Sequence, residues 1–175
     1  MLLVGGASAR FGSPKALVRY GDETLAERAW RLLGEACSER IAVGKCEYEL
    51  PFAVLDDGTA VRAPIAGVVA GLRAAGNPVA VVIPVDAPML TAPALHELAE
   101  ACRDVAIPPS GPLPGAYARS ALPALEAALA DRRLSLREAI AVLDVAIVEL
   151  DPALLVNVNE PADLERLAGG RRPVE

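Results

Sequence analysis

A chain of 175 residues has the length of one domain, and with 53% hydrophobic against 23% charged residues it is not a disordered chain. Aromatic residues are 3% of the total, so the core has to be built from Ala, Val, Leu and Ile. Seventeen Lys and Arg against 23 Asp and Glu give a net charge of −6, which excludes the basic footprint of a generic nucleic-acid or membrane-surface binder.

Short apolar runs alternate with longer helical patterns. Met1–Val4 reads as a buried strand stopping at Gly5-Gly6, and Leu25–Cys37 carries apolar residues at helical spacing. That helix is introduced by Thr24-Leu25-Ala26-Glu27, a capping box in which Thr24 and Glu27 satisfy each other's backbone donors. Arg40–Gly44 and Phe52–Leu55 are expected strands, and Ile65–Ala75 is a helix ended by Gly76. Val79–Ile83 is the most β-branched run and so the expected central strand, buried on both faces. Its apolar stretch reaches Val85 through Pro84, far short of the ~20 residues that span a membrane. A helix over Thr91–Cys102 and a strand near Val105–Ile107 follow. Pro108 to Gly115, with four prolines and two glycines, is a loop.

Beyond it the pattern predicts a short strand near Ala116–Arg119 and a helix from about Leu122 to Ala130. A second capping box follows at Ser135-Leu136-Arg137-Glu138, then a strand at Val145–Leu150 and a terminal helix at Pro161–Ala168. Residues 1–170 form a single domain in this reading and 171–175 a flexible tail. Helices alternating with strands imply a three-layer α/β fold with a mostly parallel sheet. Such sheets bind ligands beyond the carboxyl ends of their strands. Four polar clusters lie there: Gly5–Lys15, Asp56-Asp57, Asp86 and Asn157-Val158-Asn159.

Rare residues narrow the chemistry. There is one histidine, His96, expected on an exposed helix face, which argues against a histidine triad or a multi-histidine metal site. Cys37, Cys46 and Cys102 are odd in number and form no CxxC pair, which argues for a reducing cytoplasm and ordinary buried thiols. The N-terminal apolar run is too short for a signal peptide. Of the two lysines, Lys15 and Lys45, the first closes the glycine-rich run Gly5-Gly6-Ala7-Ser8-Ala9-Arg10-Phe11-Gly12-Ser13-Pro14-Lys15. Glycines there let backbone N–H groups approach an oligophosphate, while Arg10 and Lys15 supply positive charge. The spacing is neither a Walker A loop nor GxGxxG.

The stretch Leu3–Lys15 resembles the LAGGxSxRMGxxK signature of the molybdenum cofactor guanylyltransferase (MobA) family of nucleotidyltransferases. The resemblance continues through Val54-Leu55-Asp56-Asp57, Ala63-Pro64-Ile65-Ala66-Gly67 (GPLAG), Pro84-Val85-Asp86-Ala87-Pro88 (PCDxP) and Asn157-Val158-Asn159-Glu160-Pro161-Ala162-Asp163-Leu164 (NVNTPEDL). Phe11 stands for the usual Met and Val85 for Cys. Gly44 stands where some members carry an Asn, so a contact there has to come from the backbone.

The resemblance implies a Rossmann-like αβα nucleotidyltransferase fold. The implied activity is transfer of GMP from GTP to the terminal phosphate of molybdopterin, with Mg²⁺ as cofactor and pyrophosphate as the second product. It assigns the nucleotide to Leu3, Val4, Gly5, Gly6, Lys15, Asp57 and Asp86, the chemistry to Lys15, Arg10 and Asp86, and the metal to Asp86 and Asn159. GTP and the molybdopterin cofactor are its implied partners, without nucleic acid or membrane, in a monomer or weak homo-oligomer. The Gly5-Gly6 opening and Asn157-Val158-Asn159 favour GTP over CTP by the same resemblance. Asp131-Arg132-Arg133 and the Pro108–Tyr117 loop are candidates for the pterin side. A transferase using CTP, one acting on a sugar or lactyl phosphate, and a nucleotide-binding module without catalysis remain the alternatives.

Overall fold

The computed structural model describes residues 1–5 and 14–169. Its centre is a sheet of seven strands: β1 (Leu2–Val4), β4 (Ala42–Gly44), β5 (Val54–Leu55), β6 (Val79–Pro84), β7 (Val105–Ile107), β8 (Gly115–Ala118) and β9 (Val145–Ile147). The remaining two, β2 (Arg19–Tyr20) and β3 (Glu23–Thr24), form a separate small hairpin that the sequence pattern does not reveal. The spatial order is β5-β4-β1-β6-β8-β7-β9, which places the β-branched run of β6 at the middle as expected. All neighbours are parallel except β8, which runs antiparallel to β6 and β7. The proline-rich loop from 108 to 114 is too short for a crossover and can only turn the chain back on itself.

Side chains alternate across the sheet with period two. Leu2, Val4, Val81 and Ile83 join one core with α1 (Leu25–Ala36) and α3 (Ala92–Ala101). Val43, Val82, Val105 and Tyr117 join the other with α2 (Pro64–Ala74), α4 (Leu122–Ala130) and α5 (Leu136–Ile140). The layers are therefore helix, sheet, helix. In α1 the buried Leu25, Ala26, Ala29, Leu32 and Leu33 follow the helical repeat, and each buried leucine contributes about 1.5–3 kcal/mol.

The Thr24–Glu27 capping box is complete. At Ser135 the hydroxyl half of the box forms, with Glu138 N–H donating to Ser135 Oγ at 3.3 Å. The strand expected over Val145–Leu150 is shorter, and a 3₁₀ turn (Pro152–Leu155) leads toward the last helix, α6 (Pro161–Gly169). The three cysteines are half-buried rather than buried, and burial pushes each thiol upward. His96 is exposed as expected, its Nε2 3.0 Å from the Ala36 carbonyl. No helix among the described residues is long and apolar enough to cross a membrane. The flexible tail expected at 171–175 lies outside the described residues.

Candidate active site

The carboxyl ends of β1, β4 and β6 open on a cleft of about 330 Å³. Of the residues assigned to the nucleotide, Leu3, Val4, Gly5, Lys15, Asp57 and Asp86 all line it. Gly6 and Arg10 lie outside the described residues. The approach of the β1 and β4 ends depends on glycine at two points. Gly5 has φ +98°, and a Cβ there would meet the Lys45 carbonyl at 3.0 Å. At Gly44 a Cβ would lie 1.5 Å from the Val4 carbonyl oxygen, so no side chain fits.

One corner of the cleft is built by three distant segments. Lys15 starts a single 3₁₀ turn anchored by buried Ala16. Its ammonium donates to Asp86 Oδ2 at 2.8 Å and to Asn159 Oδ1 at 2.9 Å. Asp86 follows β6, and its carbonyl accepts from the Val158 N–H at 2.8 Å, which docks the 157–159 segment against the strand end. Asp163 then fixes Asn159 from behind. Its Oδ2 accepts from the Asn159 and Glu160 N–H groups at 2.7 and 2.9 Å, and those two bonds hold its carboxyl below the usual range. Asp163 thus caps α6 from within, leaving the Asn159 amide turned to Lys15 rather than to the helix end. Sequence reasoning missed Asp163, although an acid three residues after Glu160 is a recognisable capping signal.

Both oxygens that converge on the Lys15 ammonium are hard donors. Among the described residues no three His, Cys, Asp or Glu side chains gather as a metal cage. Two oxygen ligands with the remaining positions left to phosphate and water suit Mg²⁺, which keeps much of its water and rarely uses an all-protein cage. The residues present therefore fit the ion that the family resemblance implies.

The second corner centres on Lys45, a residue left unassigned in the sequence although it is one of only two lysines. Its Nζ donates to both carboxylate oxygens of Asp57 and to the Val61 carbonyl at 2.9 Å. Burial pushes the Asp57 carboxyl up, but the Lys45 ammonium and the Thr59 N–H outweigh it and hold it below the usual value. Neighbouring Asp56 is exposed and accepts only from the Gly58 N–H at 2.7 Å among the bonds described.

The pterin-side candidates divide. Leu113 of the proline-rich loop lines the cleft. Asp131, Arg132 and Arg133 do not: Arg132 takes φ +59° where α4 ends, the Arg133 N–H donates to the Ala128 carbonyl at 2.8 Å, and Arg133 pairs with Asp131 at 3.2 Å in solvent. They close a helix.

Residues 1–147 match a family described as MobA-like NTP transferase domain. A "Probable molybdenum cofactor guanylyltransferase" of Chloroflexus aggregans is 33% identical, over 94% of this chain and 90% of its own. A relative of the same name in Deinococcus radiodurans is 34% identical over 96% and 92%. The crystal structure of molybdopterin-guanine dinucleotide biosynthesis protein A from Archaeoglobus fulgidus superposes with a TM-score of 0.79 at 25% identity, covering 97% of this chain and 98% of that one. With that sheet order, a lysine and carboxylates at its carboxyl edge, and likeness along nearly its whole length, the chain belongs to the MobA-like NTP transferase family of nucleotidyltransferases.

Proposed function

We propose that this nucleotidyltransferase moves GMP from GTP to the terminal phosphate of the molybdopterin cofactor. A phosphate oxygen of the acceptor attacks the α-phosphorus, the bond to the β-phosphate breaks, and pyrophosphate leaves. The nucleophile is already ionised, so no general base is required, and the described cleft supplies position and charge instead. The observation that carries this reading is the meeting of Lys15, Asp86 and Asn159 at the strand ends. The names of the relatives support the choice of acceptor.

In this reading Gly5 and Lys15 face the phosphates, and Lys15 binds their negative charge together with Arg10, whose part is inferred from the sequence motif alone. Asp86 and Asn159 would hold Mg²⁺, which supplies charge neutralisation at the phosphates. Lys15 releases Asp86 and Asn159 as it turns to the incoming triphosphate, so one ammonium serves two sets of partners in turn. The base lies toward Gly5, Gly44 and Asp57, where the two glycines let the ends of β1 and β4 pack closely against each other.

The test is incubation of the purified chain with GTP, Mg²⁺ and molybdopterin cofactor, with products identified by mass. A guanine dinucleotide and one pyrophosphate per turnover are expected. Formation of the cytosine product at equal rate from CTP, or no dinucleotide at all, overturns the assignment.

A further inference from the structure

We propose that Lys45 is a positioning residue for the nucleoside half of the substrate, clamping Asp57 so that one carboxylate oxygen faces the cleft as a fixed acceptor. This rests on the reading of the cleft as the nucleotide site and adds a residue to it.

The placement of Lys45 follows from the glycines beside it. Gly44 cannot carry a side chain against the Val4 carbonyl, and Gly5 packs on the Lys45 backbone. The first side chain available after β4 is therefore Lys45, and it extends along the cleft wall to Asp57, twelve residues on, and to Val61, sixteen residues on. An ammonium has three donors, and these three acceptors use them all. The turn they bracket is closed internally as well. Asp57 Oδ1 accepts from the Thr59 N–H at 3.0 Å and from the Thr59 hydroxyl at 3.1 Å, and the Val61 N–H donates to Thr59 Oγ1 at 3.1 Å.

The two Asp57 oxygens consequently differ. Oδ1 accepts from Lys45 and twice from Thr59, whereas among the described residues Oδ2 accepts from Lys45 alone. With about two acceptor sites on each carboxylate oxygen, Oδ1 is saturated by its three shared bonds and Oδ2 retains one. Both side chains line the cleft. An unpaired carboxylate there would repel a triphosphate; paired with Lys45 it is locally neutral yet still accepts hydrogen bonds. Its complement is a neutral donor on the nucleoside, either the N1–H and 2-amino edge of guanine or a ribose hydroxyl.

Steady-state kinetics with GTP, inosine triphosphate and 2′-deoxy-GTP, on wild type, Lys45→Met, Lys45→Arg and Lys15→Ala, test this. Lys45→Met should raise KM for GTP by ~10-fold or more with kcat nearly unchanged, the pattern of a lost binding contact remote from the reacting phosphate. It should also erase the preference for GTP over one analogue: over inosine triphosphate if the donor is the 2-amino edge, over 2′-deoxy-GTP if it is the ribose. Lys45→Arg, which keeps the charge, should restore much of both. Should Lys45→Met fail to fold, Lys45→Gln carries the same expectation.

An unchanged KM and unchanged analogue preference in Lys45→Met, with Lys15→Ala inactive, overturns the role of Lys45 and leaves the cleft reading standing. An equal loss of kcat and of kcat/KM for all three nucleotides, without rescue by Arg, marks a purely structural residue and also overturns it. If Lys15→Ala and Lys45→Met both turn over GTP as wild type does, the cleft reading fails and the inference falls with it.

Discussion

The cleft holds two lysine–aspartate pairs that look alike in outline and differ in construction. Lys15 and Asp86 are joined across 71 residues, at 19% and 21% side-chain exposure, and Lys15 also reaches Asn159, 144 residues away. Lys45 and Asp57 are 12 residues apart; Lys45 is about as exposed as Lys15, at 22%, and the difference lies in Asp57, which is only 7% exposed. The first pair is assembled by the sheet from separate segments and stays open to solvent. The second is a local clasp on one turn, with its carboxylate nearly enclosed. An accessible pair can exchange partners when a polyanion arrives, whereas an enclosed one holds its geometry because separating it strands a buried charge. We read the first as the part that handles phosphates and the second as the part that registers the nucleoside.

The sharpest way to break this comparison is Lys15→Ala. Turnover should fall ~10²–10³-fold, about 2.7–4 kcal/mol of transition-state stabilisation, while the melting temperature barely moves. Activity equal to wild type would remove Lys15 from the chemistry. Asp86→Ala should abolish Mg²⁺-dependent turnover. It also frees Lys15 from one of its partners, so metal-free GTP binding measured by calorimetry should be retained or tightened. The double variant Lys15→Ala/Asp86→Ala should cost much less than the sum of the singles, since the two residues contact each other.

The clasp should answer in the opposite currency. Lys45→Met leaves Asp57 enclosed without its cation and should cost about 1–3 kcal/mol of folding stability, read by chemical denaturation, against almost none for Lys15→Ala. Equal losses at the two lysines would show that burial does not distinguish the pairs. Base choice comes next: GTP should bind more tightly than CTP by ~1–3 kcal/mol for each buried group that CTP leaves unpaired, and equal calorimetric affinities would dissociate the clasp from base recognition.

The smallest expected effect is acid sensitivity. Asp57 has its folded pKa depressed from the ordinary value, which is about 3.9 in unfolded chains. Its contribution is therefore complete above that value and is lost as pH falls through the lower folded pKa. Asp57→Asn should remove that segment of the acid slope, and an identical slope in both proteins would show that the pair does not depress the carboxyl.

Local chemistry was legible from the residues alone. The Thr24–Glu27 box, the buried repeat of α1, the central run of β6 and the helix from Leu122 to Ala130 depend on nearest neighbours and on periodicity, so a single sequence carries them. Lys15, Asp57, Asp86 and Asn159 could be singled out because rare polar residues followed predicted strand ends and matched family motifs. Their partners could not. Lys15 meets Asn159 only because Val158 docks on the Asp86 carbonyl, a contact across more than seventy residues that leaves no local periodicity. The antiparallel direction of β8 likewise follows from which strands it lies between. Lys45 shows the limit most clearly. Its scarcity marked it in the sequence, but its role depends on a Cβ that does not fit beside Val4 and a carboxylate on the next strand's end, and only the packed sheet brings those together.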